Sequence, residues 1–123
     1  MAVLNPYQQY RQNSVTSAPP GQLTLMLYNG ALKFIKTAVI SIEKKDISSA
    51  NNAIIRAQDI ILYLNETLNK NYEPAHNLSS LYDYIYRRLV EANIKKDTAV
   101  LEEAASLVEE LRDTWAVVLK ENK

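Results

Sequence analysis

The chain has 123 residues, with 14 Lys plus Arg against 14 Asp plus Glu and no cysteine. That length fits one domain with a core of its own, and the missing cysteines exclude disulfides, thiolate metal sites and cysteine nucleophiles. Zero net charge argues against nucleic-acid binding, which needs a basic surplus to neutralise phosphates, and no apolar run approaches the roughly 18 residues of a membrane helix.

Glycine and proline are scarce, two and four, and three of the prolines fall within the first 20 residues. Residues 1–18 are polar and irregular and read as an extended N-terminal arm. They have no basic stretch followed by an apolar core, so they do not read as a secretory signal. The remainder, 19–123, is almost free of breakers and favours long helices. A first helix is expected from about Pro20 to Lys44, since proline is accepted in a first turn. A second should run from about Ile47 to Lys70. Its Ile47, Ala50, Ile54, Ala57, Ile61, Leu64 and Leu68 step by alternating threes and fours, the seam of a bundle helix. Residues 69–77, with Pro74, read as a loop. A third helix is expected from about Leu78 to Lys95, with Leu78, Tyr82, Ile85, Leu89 and Ala92 inward. A fourth should run from about Thr98 to Lys120, with Leu101, Ala104, Val108, Leu111, Trp115 and Val118 inward. The expected fold is all-α, an antiparallel four-helix bundle preceded by an arm.

An internal echo supports this parsing: Lys44-Lys45-Asp46 recurs as Lys95-Lys96-Asp97. Lysines in a last turn complement the negative end of the helix dipole. An aspartate directly after can cap the next helix. Each triplet then makes a tight turn between antiparallel helices.

Helix 1 carries more apolar surface than a bundle seam requires. Leu23, Leu27, Phe34 and Ala38 form one stripe, and Leu25, Tyr28, Leu32, Ile35 and Val39 form another. Together they cover roughly 200° of the helix, against about 100° for an ordinary bundle helix. Either the helix is unusually central or something else covers it. Ile55 and Leu62 form a smaller stripe on helix 2, well over 90° from its seam. Eight of the aromatic residues are tyrosines, which suit half-wet surfaces. Tyr82 reads as a boundary residue with its hydroxyl in water. Tyr7 and Tyr10 lie in the arm, where two large rings make sense if the arm packs onto the bundle.

Catalytic equipment is missing from the pattern. The lone His76 sits in a Glu-x-x-His spacing, but di-iron bundles need two such motifs on helices, and this one holds Pro74 in the expected loop. Glycine-rich phosphate loops and metalloprotease motifs are absent. Glu102, Glu103, Glu109 and Glu110 read as a solvated face. No enzyme activity, cofactor or metal is expected, and the surplus surface points to binding another polypeptide.

Asn5-Pro6-Tyr7 with Tyr10, then PPGQLTLMLYNGALKFI at 19–35 and LYDYIYRRLVEANIKKD at 81–97, resemble the flagellar secretion chaperone family, FliS. The resemblance spans nearly the whole chain. It implies a cytoplasmic four-helix bundle that binds the disordered C-terminal segment of flagellin. That binding prevents premature polymerisation, and the client is delivered to the flagellar type III export gate. It also implies that the tyrosine-bearing arm occupies part of the client surface when no client is bound. The residues expected to serve the client or arm are Tyr7, Tyr10, Tyr28, Leu32, Ile35, Ile55 and Leu62. The family often carries Thr-Pro-Gly-Glu where this chain has Pro19-Pro20-Gly21-Gln22, so the capping box is lost and helix 1 should start about 1 kcal/mol weaker. A helical adaptor that binds a folded partner, or a homodimer closed by the same apolar surplus, is the alternative.

Overall fold

The computed structural model describes residues 21–68 and 73–121. It contains four α-helices: α1 (Gln22–Glu43), α2 (Ile47–Glu66), α3 (Glu73–Lys95) and α4 (Thr98–Glu121). They form a ring in which α1 packs on α2 and α4, and α3 packs on α2 and α4. A polar contact fixes each antiparallel pair: Ser41 with Ser49, Asn51 with Asn93, Tyr84 with Glu103, and Asn29 with Arg112. The expected all-α bundle is therefore the observed fold.

The two repeated triplets are near-identical turns. In the first, the Asp46 N–H bonds to Ser41 O at 2.8 Å and the Lys45 N–H to Ile42 O at 2.9 Å. That is the Schellman pattern, which closes a helix with one left-handed residue. In the second, the Asp97 N–H bonds to Ala92 O at 3.1 Å. The left-handed residue is lysine both times, Lys45 at φ 62° and Lys96 at φ 51°, where glycine is the usual occupant. Each aspartate then starts the next helix: Asp46 Oδ1 accepts from Ser49 N at 3.1 Å, and Asp97 Oδ1 from Ala99 N at 2.9 Å. One residue thus ends one helix and caps its successor, which is why three residues suffice to reverse the chain.

The expected boundaries need three corrections. Helix α2 stops at Glu66, where Thr67 turns its hydroxyl onto Tyr63 O at 2.9 Å. Helix α3 begins at Glu73, not Leu78, because Pro74 falls in its first turn, where a missing N–H costs no helical bond. His76 is therefore helical; its side chain lies outside the described residues. Helix α1 begins at Gln22 behind Gly21, which has φ 89° and makes no side-chain cap.

The core is an apolar column in which Leu27, Ile35, Ile54, Ile60, Ile85, Leu89 and Leu101 are almost fully buried. Ile47 was expected in the α2 seam but is exposed, since it is the first residue of the helix and no neighbouring turn covers it. Tyr82 was expected at the boundary, yet it is 2% exposed and its hydroxyl meets that of Tyr28 inside the bundle. By length and average composition α1 does pass as a potential membrane-crossing helix, with mean hydropathy 1.3 over 18 residues, although no run within it is uniformly apolar. Its wide apolar arc is explained by packing on two neighbours. Leu27, Ala31, Ile35 and Ala38 are buried along it.

Candidate binding groove

An open groove of about 430 Å³ lies between the C-terminal half of α1 and the N-terminal half of α4. Leu32, Ile35, Lys36, Val39 and Ile40 line it from α1, and Glu102, Ala105, Ser106 and Glu109 from α4. Leu32 and Ile35 are themselves buried and form the floor, whereas Ile40 is 51% exposed at the rim. The spacing explains the geometry. Leu32, Ile35 and Val39 follow a 3,4 step and share one face of α1, and between Glu102 and Glu109 the α4 side chains that line the groove are the small Ala105 and Ser106. Small residues facing large ones leave a trough, and a trough with an apolar floor binds apolar side chains by removing their area from water.

The rims are charged. Lys36 stands on the α1 side and Glu102 and Glu109 on the α4 side. Away from the groove, α4 is joined to α3 by a charged cluster. Glu103 accepts from Tyr84 Oη at 2.7 Å and from Arg88 Nε at 2.7 Å. Those bonds hold its carboxyl below the ordinary glutamate range, the tyrosine bond contributing most, and the bond to Glu103 pushes the Tyr84 phenol up. Glu91 is lowered likewise, first by Lys95 and then by Arg88.

The start of α1 is clasped to the end of α4. Trp115 Nε1 donates to Gly21 O at 2.8 Å. A Cβ on Gly21 would lie 2.5 Å from Leu119 Cδ2, so glycine is required there by space as well as by its positive φ. This clasp fixes the start of α1 against the end of α4.

The residues singled out in the sequence divide. Leu32 and Ile35 come together in the groove floor. Tyr28 is 3% exposed in the bundle interior. Ile55 and Leu62, 41% and 38% exposed, lie on α2 and do not line this groove. Tyr7 and Tyr10 lie outside the described residues. The contribution of α4 was missed, because its glutamates read as a solvated face and nothing marks an alanine or serine as the wall of a trough. A second, polar depression lies over the α1–α2 turn, where the Arg56 guanidinium sits 5.7 Å from the centre of the Phe34 ring. Among the described residues no group of three or more His, Cys, Asp or Glu gathers to hold a metal.

The family model for "Flagellar protein FliS" matches residues 3–122. The Flagellar secretion chaperone FliS of Bacillus subtilis (strain 168) is 50% identical over 123 residues, covering 100% of this chain and 92% of the relative. The corresponding Salmonella typhimurium protein is 36% identical over 107 residues, covering 85% and 79%. A solved structure described as a flagellar chaperone from bacteria superposes with a TM-score of 0.78 at 18% identity, covering 95% of this chain and 96% of the other. At that identity the likeness bears on the fold alone.

Proposed function

The chain belongs to the FliS family of flagellar secretion chaperones, and we propose that it binds the C-terminal segment of flagellin in the α1–α4 groove. On this reading it works in the cytoplasm, keeps the segment from polymerising and hands it to the flagellar type III export gate. The observation that carries the proposal is the apolar-floored groove itself, lined by Leu32, Ile35, Val39 and Ala105. A disordered client folds a helical piece into such a trough and buries its apolar face. Ile55 and Leu62 on α2 offer a second apolar station for a client that wraps around the bundle, and Tyr28 supports the floor from within. The work is binding and release, which requires no catalytic group or cofactor. The ordering entropy lost by the client keeps the affinity moderate for the area buried.

The arm fits the same scheme. Tyr10 precedes Gly21 by 11 residues, a reach of about 36 Å if extended. The far end of the groove at Ile40 is 19 residues along α1, or about 28 Å. Both arm tyrosines can therefore lie in the groove, and an arm that occupies it lowers apparent client affinity by the fraction of time the site is covered. Removing residues 2–16 should leave the bundle folded by circular dichroism and tighten the binding of a flagellin C-terminal peptide measured by calorimetry. An intact protein that gives no binding at all contradicts the chaperone reading.

A further inference from the structure

The two rims of the groove carry opposite charge, and most of that charge is left unpaired by the described residues. Glu102 and Glu109 are seven residues apart, so they share one face of α4 about 10 Å apart. Among the described residues Glu102 and Lys36 have no ion pair. Glu109 has a single long one, 3.9 Å to Arg112, whose guanidinium lies nearer Asp113 at 3.0 Å. At the α3–α4 contact, by comparison, Glu103 and Glu91 are each held by two donors. Lys36 and Glu102 line the same groove, and no salt bridge between them closes it.

We infer that this polarity selects the direction in which a client helix lies in the groove. The inference rests on the proposed chaperone reading. An apolar trough alone accepts an amphipathic helix in either direction. Turning the helix end for end, with its apolar face still down, exchanges its left and right flanks. With Glu102 and Glu109 on one rim and Lys36 on the other, the two orientations differ in energy. The favoured occupant is an amphipathic helix with basic side chains about two turns apart on the flank that meets α4, and an acidic or neutral flank toward Lys36. Because the groove is open, these contacts are screened by salt.

The test is calorimetric titration of the flagellin C-terminal segment from the same organism into three full-length proteins: wild type, E102Q/E109Q, and A105E, which puts a larger side chain into the groove wall. Each is measured at about 50 and 300 mM salt, ionic strengths that bracket strong and weak screening. Glu102 and Glu109 are exposed, so the double variant should melt like wild type. At low salt it should bind about three- to tenfold more weakly, the range expected for two exposed charge contacts. Wild-type affinity should fall as salt rises, and the double variant should lose most of that dependence. A wild type that binds, an A105E that does not, and an E102Q/E109Q indistinguishable from wild type at both salts would overturn the polarity while leaving the groove as the client site. A wild type that does not bind overturns the chaperone reading, and this inference with it.

Discussion

The hydroxyls of Tyr28 and Tyr82 lie 2.6 Å apart in the bundle interior, joining α1 to α3 across 54 residues of chain. These helices do not pack backbone to backbone, so the tyrosine pair bridges the diagonal of the ring. A buried hydrogen bond of this kind contributes about 1 kcal/mol net, and breaking it from one side costs about 1–3 kcal/mol because a buried oxygen loses one of its hydrogen bonds. Tyr82→Phe and Tyr28→Phe should each lower stability by that amount in urea denaturation. The double variant should lose less than the sum of the singles, because the bond is already broken by the first change.

At the other end of α1, space and backbone both demand Gly21. Gly21→Ala sets a Cβ against Leu119 and forces a left-handed conformation on an L-residue. The expected loss is about 1–3 kcal/mol. Adding Leu119→Ala removes the clash but not the conformational cost, so in thermal melts it should recover less than the whole loss even after its own packing defect is subtracted in a cycle.

The two lysine turns differ in one respect. Lys96 returns its ammonium to Asn93, at 2.5 Å to the carbonyl and 2.7 Å to Oδ1, and among the described residues Lys45 has no such bond. Lys45→Gly should therefore stabilise the bundle by up to about 1 kcal/mol through relief of the left-handed backbone. Lys96→Gly should gain less or nothing. Chemical denaturation of the two variants side by side measures the difference.

The α3–α4 cluster gives a pH dependence with a definite sign. Glu91 and Glu103 are both lowered from the ordinary value of 4.5. A carboxyl with a depressed folded-state pKa stabilises above its unfolded value and loses that contribution as pH falls through the folded value. The bundle should therefore lose stability as pH drops below about 4.5, and Glu103→Gln should flatten that part of the curve. Thermal melts between neutral and acidic pH report it.

Much of this architecture was legible in the sequence, and the exceptions share a cause. The 3,4 seams of α3 and α4 and the two Lys-Lys-Asp turns depend on local periodicity and capping, which a single chain displays. Pro74 misled because its effect depends on whether it falls in a first turn or in an interior. Tyr82 misled because a buried hydroxyl becomes acceptable only when a second one, here 54 residues away, meets it. Leu32 and Ile35 were visible as surplus apolar surface, but Ala105, Ser106, Glu102 and Glu109 were not visible as a groove wall. A wall is a relation between two helices and leaves no periodic mark on either.

The central claim is that a flagellin segment seats between α1 and α4. Hydrogen exchange of the intact protein, with and without the flagellin C-terminal segment, tests it most directly. The expected result is added protection over residues 32–40 and 102–109, with changed exchange in residues 1–18 as the arm is displaced. Binding accompanied by protection confined to other faces, with 32–40 and 102–109 unchanged, would contradict it.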